Sequence, residues 1–316
     1  MALYVVTGGA GFIGSHLVEA LRAQGSSVRV VDDLSTGLRS NLARDVELVV
    51  GDVADAALMR GAMAGAAGCF HLAAVASVAR ANEDWLGTHR TNQSGTIAVL
   101  EAARDAGRIP VVYASSAAIY GDHGAVRLHE SLPPRPLSAY GADKLGSELH
   151  ARVAAIVHGT GTIGMRFFNV FGPRQNPRSP YSGVISIFAE RVLNRRTITI
   201  NGDGMQTRDF IYVADVVAHL CAAMARLQAR GAAEAEVFNV CTGFSTSILG
   251  LAETLGELVG WVPTVVFAPE RMGDIRSSLG NPTTARATLR AGAPMPLAEG
   301  LENLLTSLRP GIRLAG

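Results

Sequence analysis

The chain has 316 residues, 48% hydrophobic and 17% charged, a globular composition with length for a large core and one or two domains. Its 28 basic and 27 acidic residues leave a formal charge of +1, so nothing electrostatic points to nucleic acid or an anionic membrane as a partner. Three widely spaced cysteines, Cys69, Cys221 and Cys241, form no C-x-x-C pair, which argues against a zinc site or a disulfide framework and fits buried thiols in a reducing cytoplasm.

No basic segment or cleavage site precedes the first apolar run, Leu3-Tyr4-Val5-Val6, so a secretory leader is not expected. The least polar long window, residues 63–79, contains His71 and reads as a buried strand with its loop, not as a membrane span. In chain order, short apolar runs at 3–6, 28–31, 46–50, 69–72, 110–114 and 162–168 predict strands. Helical segments are expected between them, including 54–63, 95–106 and 138–157, with Gly25 as the stop of the first helix. This alternation is the βαβ signature of a doubly wound parallel sheet. After about Phe168, turn-rich stretches such as Gly172-Pro173-Arg174-Gln175-Asn176-Pro177 and Asn201-Gly202-Asp203-Gly204 interrupt the helices. The expected division is residues 1–168, with a return of the chain around 209–239, and a smaller C-terminal α/β unit over 169–316. A cleft between the two is the natural place for a ligand.

Thr7-Gly8-Gly9-Ala10-Gly11-Phe12-Ile13-Gly14 follows the first strand and opens the first helix. Glycines at 8, 11 and 14 permit a tight turn, close approach of a pyrophosphate, and close helix–strand packing. The helix N-terminus then offers free N–H groups to the phosphates. The second strand ends at Asp32, eighteen residues after Gly14, where a carboxylate accepts hydrogen bonds from the adenosine ribose and repels a 2′-phosphate. NAD is therefore expected, not NADP. Asp52-Val53, at the end of the third strand, is placed to meet the adenine.

Tyr140 and Lys144 lie four residues apart on one helical face, beginning near an N-cap at Ser138. A phenol with an ordinary pKa of about 10 is a poor base, but an adjacent ammonium and a cationic nicotinamide favour the phenolate. Ser116 ends the strand at 110–114, at the edge where open α/β sheets hold ligands, and can hydrogen-bond the oxygen that exchanges the proton.

With these motifs in place, the sequence resembles the extended short-chain dehydrogenases of Rossmann-type fold, and among them the UDP-hexose 4-epimerases. The resemblance rests on the segments 7–14, 115–121 and 166–173, on Asp32-Asp33-Leu34-Ser35-Thr36-Gly37, His71-Leu72-Ala73-Ala74 and Tyr140-Gly141-Ala142-Asp143-Lys144, and on Asn201-Gly202-Asp203-Gly204, Arg208-Asp209-Phe210 and Gly273-Asp274. It implies Ser116, Tyr140 and Lys144 as the catalytic triad. The implied cofactor site comprises Gly8, Gly11, Phe12, Ile13, Gly14, Asp32, Asp33, Ser35, Gly37, Asp52, Val53, Leu72, Ala73, Ala74, Asn92 and Phe168, with Tyr140 and Lys144. On the substrate side it implies Ser77, Ser116, Asn169, Gln175, Arg208, Arg271, Asp274 and Ser278, with the arginines on the diphosphate.

The implied reaction is oxidation of the sugar at C4 by tightly bound NAD, rotation of the keto sugar, and return of hydride to its other face. Ala117-Ala118 follow Ser116 where a 4,6-dehydratase of the family would carry an Asp-Glu pair, and no Glu marks a decarboxylase. The small Ser278, and Ser179-Pro180-Tyr181 after the 168–177 run, resemble enzymes acting on N-acetylated sugars. That favours interconversion of UDP-GlcNAc and UDP-GalNAc, with UDP-glucose and UDP-galactose as a further pair. A UDP-glucuronate 4-epimerase, an alcohol dehydrogenase that releases reduced cofactor, and a non-catalytic NAD sensor are the alternatives. The resemblance also implies a homodimer through the helices at 95–106 and 138–157.

Overall fold

The computed structural model describes residues 1–176, 183–231, 233–270 and 274–309. The first half runs β1 (Leu3–Thr7), α1 (Phe12–Ala23), β2 (Ser27–Asp32), β3 (Glu47–Val50), α2 (Ala56–Met63) and β4 (Gly68–His71). Two short helices follow, α3 (Val78–Glu83) and α4 (Trp85–His89), then one turn of π-helix at Arg90–Ser94 that leads into α5 (Gly95–Asp105). Next come β5 (Val111–Ser116), α6 (Ala139–His158) and β6 (Thr162–Phe167). The second half contains β7 (Asn169–Phe171), α7 (Val184–Leu193), β8 (Ile198–Asn201), β9 (Thr207–Arg208), β10 (Phe210–Tyr212), α8 (Val213–Arg230) and β11 (Ala235–Val240). It closes with β12 (Thr246–Ser247), α9 (Ile248–Val259), β13 (Val265–Ala268), β14 (Ser277–Ser278), α10 (Thr283–Leu289) and α11 (Leu297–Leu308).

Seven strands form one sheet in the order β11-β6-β5-β4-β1-β2-β3, and every pairing is parallel. The apolar runs read as strands are those that a parallel sheet buries on both faces: Val5, Val6, Val30, Val31, Phe70, Val111 and Val112 are wholly inaccessible. One core cluster joins α1 and α8 to the sheet through Leu17, Leu21, Val216 and Leu220. The other joins α2, α5 and α6 through Met59, Met63, Val99 and Ala151. Strand order reverses between β1 and β4, so the ends of these two strands open a crevice. After β7, the chain returns through α8 and β11, the latter pairing with β6. The remaining strands form a three-stranded sheet, β12-β9-β14, and two-stranded sheets β10-β7 and β13-β8, packed around a third apolar cluster.

One sequence expectation shifts, and one stretch gains structure. Asp52-Val53 lie in the loop beyond β3, which ends at Val50, because Asp52 accepts the Ala54 N–H at 2.9 Å and turns the chain before α2. Residues 78–94, to which the sequence pattern assigns no element, form α3, α4 and the π turn, with Ser77 and Asp84 capping α3 and α4. No described helix is long and apolar enough to cross a membrane.

Candidate functional site

The loop after β1 is built so that backbone meets backbone. Gly8 has φ +68°, and a Cβ there would stand 2.7 Å from the Ala73 nitrogen at the end of β4. A Cβ on Gly14 would stand 2.1 Å from the Gly8 carbonyl oxygen, so α1 starts hard against the loop. Gly11 is the N-cap of α1 and brings no capping side chain, so the first turn, with Phe12 and Ile13, is of the kind that can hold an anion.

At the end of β2, Asp32 is buried, with one carboxylate oxygen accepting the Ala10 N–H and the other the Leu34 N–H, both at 2.9 Å. Burial raises its pKa, and those two hydrogen bonds oppose the rise. Gly37 packs against this carboxylate, and a Cβ there would meet it at 2.8 Å. Asp33 is exposed and accepts from the Ser35 N–H and hydroxyl. Asp52 pairs with Arg90 at 3.4 Å on the rim, and Val53 is buried against Gly95.

Leu72, Ala73 and Ala74 leave β4 beside the glycine loop, and the Thr7 hydroxyl oxygen accepts the Leu72 and Ala73 N–H groups at 3.2 Å. Asn92 stands, buried, in the π turn. Its amide accepts the Val75 N–H at 2.8 Å and donates to the Val75 carbonyl at 3.3 Å, and so fixes the β4 loop.

Ser116, Tyr140 and Lys144 come together from two elements. Ser116 is the last residue of β5, and its hydroxyl oxygen also accepts the Ala118 N–H at 3.1 Å. Ser138 caps α6 through the Gly141 N–H, and Gly141 lies so close to the Ala118 carbonyl that a Cβ would approach to 2.7 Å. That close packing brings Tyr140, in the first turn of α6, within hydrogen-bond reach of Ser116. The Lys144 ammonium donates to the Ala114 carbonyl at 2.8 Å and lies 5.9 Å from the centre of the Tyr140 ring. Desolvation raises the Tyr140 pKa, and the Ser116 hydrogen bond offsets part of the rise. Desolvation lowers Lys144 to about 8, against the charge of Asp143.

On the other side, Asn169 starts β7, and its N–H donates to the Asp209 carbonyl at 3.0 Å. Gln175 accepts from the Ser186 hydroxyl at 2.5 Å, and Ser77 caps α3 through the Arg80 N–H. Arg208 and Ser278 face each other in the register of β9 and β14. The Arg208 guanidinium forms an ion pair with Asp274. Beside Asp274 lies a small cavity of about 100 Å³, lined also by Asn201, Gly202, Gln206 and Glu270. Phe168 is buried against Tyr120, their rings 6.5 Å apart. Arg271 and Ser179-Pro180-Tyr181 lie outside the described residues. A larger cavity, about 950 Å³, is lined by a different set that includes Phe210, Phe244, Arg286 and Met295.

Three features around the site were not anticipated. His71 is buried between Thr7, 2.8 Å from Nδ1, and Thr96, 3.1 Å from Nε2. Thr96 gives its own proton to the Asn92 carbonyl, so His71 carries its proton on Nε2. Burial first, and Lys144 second, push its pKa down to about 3. Glu148 on α6 binds Arg166 on β6 through two hydrogen bonds of 2.9 and 2.7 Å and accepts the Ser115 hydroxyl at 2.5 Å. Asp209, wholly buried, accepts the Thr242 N–H and hydroxyl and the Gly243 N–H, tying the strand that carries Arg208 to the loop after β11.

Comparison with known proteins shows which family the chain belongs to. Residues 4–241 match the model of the NAD dependent epimerase/dehydratase family. A UDP-glucose 4-epimerase of Mycolicibacterium smegmatis is 38% identical over 314 residues, covering 96% of this chain and 98% of that protein. The crystal structure of a UDP-glucose 4-epimerase from Thermotoga maritima with UDP-glucose superposes with a TM-score of 0.90 at 36% identity, covering 96% of this chain and 97% of the other. A UDP-N-acetylglucosamine 4-epimerase from Methanobrevibacter ruminantium, in complex with UDP-N-acetylmuramic acid, superposes with a TM-score of 0.89 at 32% identity over the same shares.

Proposed function

Because the chain belongs to the NAD-dependent epimerase/dehydratase family, we propose that it interconverts the C4 epimers of UDP-hexoses with Ser116, Tyr140 and Lys144 as its catalytic residues. The observation that carries this reading is the convergence of three groups: the Tyr140 phenol within hydrogen-bond reach of Ser116, the last residue of β5, and the Lys144 ammonium 5.9 Å from the Tyr140 ring. Residues 1–168 with the returning α8 and β11 hold the cofactor, and the remainder of the second half holds the nucleotide sugar.

The residues present fit NAD. Gly8 and Gly14 let the loop pack directly on the end of β4 and the start of α1, the uncapped start of α1 faces the diphosphate, and Asp32 meets a ribose in place of a 2′-phosphate. NAD, when bound, supplies the hydride acceptor and donor at the sugar C4. Lys144 holds a positive charge below the Tyr140 ring, and Ser116 donates a hydrogen bond to the phenol oxygen. Both favour the phenolate that takes the proton from the sugar 4-hydroxyl, in opposition to desolvation. Asn169 and Arg208 bind the diphosphate, and Asp274 the uridine ribose. Affinity then resides in the nucleotide and leaves the hexose free to turn between the two halves of the reaction. Ala117 and Ala118 add no acid or base next to Ser116, so the site stops at epimerisation.

The relatives' names favour UDP-glucose and UDP-galactose as one pair. Ser278 supports a second: it is a small side chain on the strand beside Arg208, where a bulkier residue would narrow the space for a 2-acetamido group. UDP-GlcNAc and UDP-GalNAc are therefore included as substrates. Separate incubation with UDP-glucose and UDP-GlcNAc, products being resolved by NMR, tests the reading. A homodimer through α5 and α6 is part of the same proposal. Leu149, Val153, Ile156 and Val157 make an apolar stripe along α6, each between 47% and 71% exposed, at the spacing of one helical face.

A further inference from the structure

Lys144 is the only lysine in the chain; the other 27 basic residues are arginine. A compact ammonium, unlike a guanidinium, loses its proton readily when buried. Lys144 is 3% exposed, so something must keep it charged if it is to serve Tyr140.

The neighbouring residue supplies the charge. Asp143 is 5% exposed and lies inside the Tyr140–Lys144 motif. Successive side chains on a helix diverge by about 100°, and Asp143 points into the seam between α6 and α4. There Oδ1 accepts from His89 Nδ1 at 2.7 Å. Its other oxygen, Oδ2, is buried with no hydrogen-bond donor among the described residues. The His89 bond fixes the carboxylate in the seam, and Oδ2 stays without a donor one residue from the ammonium that the Asp143 charge favours.

We propose that Asp143, anchored by His89, is a positioning residue that keeps Lys144 protonated in its dry site and thereby sets the alkaline limit of activity. The proposal rests on the reading of Lys144 as part of the catalytic site. The other titratable groups around the ammonium are His71 from β4, neutral and without a counter-charge, and the Tyr140 phenol. The third helix, which also packs on α6, carries Arg80 and Glu83, both exposed. Arg90, next to His89, is engaged with Asp52. Asp143 is thus the acid whose charge raises Lys144 against desolvation.

The single lysine makes the test direct. In NAD-loaded protein grown with ¹³C-lysine, one side-chain resonance reports the titration of Lys144. Asp143→Asn keeps the acceptor for His89 and removes the charge, so the lysine midpoint is expected to fall by about one pH unit. The alkaline limb of kcat should move down with it, while KM for UDP-glucose stays unchanged. Asp143→Glu, which keeps the charge, should hold the parent midpoint. Asp143→Ser gives the same reading as Asp143→Asn if the amide upsets the helix seam. A lysine midpoint and a kcat profile that stay with the parent in the charge-free variants, with only a lower melting temperature, would show Asp143–His89 to be a clasp between helices and overturn the proposal. Because the lysine titration needs no turnover, it remains readable if the parent proves not to epimerise UDP-sugars.

Discussion

Arg208 on β9 and Asp274 in the loop before β14 pair with each other, the guanidinium 12% exposed and the carboxylate 37%. In the proposed function each is the group that a nucleoside diphosphate would take from the other, the phosphates claiming Arg208 and the ribose hydroxyls Asp274. Desolvation lowers the Arg208 pKa, and the charge and hydrogen bond of Asp274 resist this. Arg208→Lys keeps a cation but loses the planar fork. Its KM for UDP-glucose should rise roughly 10- to 100-fold, the equivalent of about 1.5–3 kcal/mol for a charged hydrogen bond, with a smaller change in kcat. Steady-state kinetics with the nucleotide sugar varied checks this.

The approach of Gly14 to Gly8 sets a second expectation. A Cβ at 14 would sit 2.1 Å from a backbone oxygen that has no freedom to move away. Gly14→Ala should fold yet leave purification with little bound dinucleotide, measured by extraction and chromatography. Gly61→Ala on α2, where a Cβ meets nothing within 4 Å, should keep the parent's content.

The pair Glu148–Arg166 is nearly as buried as the core, at 8% and 6% exposure. Burial alone would lower the Arg166 pKa; the hydrogen bonds and charge of Glu148 more than reverse this. Arg166 also donates to the Tyr120 hydroxyl at 2.8 Å, so the pair fastens α6, β6 and the segment after Ser116 together. Glu148→Gln leaves a buried guanidinium without its counter-charge and should cost about 3–5 kcal/mol, read from denaturant midpoints.

His71 gives a pH signature. Its pKa is about 3 in the folded protein against about 6.5 in an unfolded chain, so the unfolded state binds a proton first as pH falls. Its contribution to stability is whole above about 6.5 and is lost progressively as pH falls toward the folded value. His71→Gln should therefore lose less stability than the parent between pH 7 and pH 5. Comparing denaturation midpoints of the two proteins isolates this from buried carboxylates such as Asp209, whose raised value works in the other direction.

Much of this architecture is readable in one dimension because its signals are local. The glycine spacing at 8, 11 and 14, the strand ending at Asp32, and the i,i+4 pair Tyr140 and Lys144 each sit within one turn or one element. The third helix, α4 and the π turn escaped because six- and five-residue helices carry too few apolar positions to show a period. The small sheets escaped for the same reason, β9, β12 and β14 having two residues each. Asp143 with His89, and Arg208 with Asp274, are 54 and 66 residues apart, and no periodicity links them. His71 stood inside an apolar run whose pattern explained it as strand, and its two threonine partners come from other elements.

The most direct test of the central claim compares the parent with Tyr140→Phe on UDP-glucose, following the C4 proton by NMR without added NAD. Formation of UDP-galactose by the parent, with a loss of several orders of magnitude in kcat for a variant that still holds NAD, is the expected result. Undiminished epimerisation by Tyr140→Phe would contradict the account, as would a parent that turns over neither UDP-glucose nor UDP-GlcNAc.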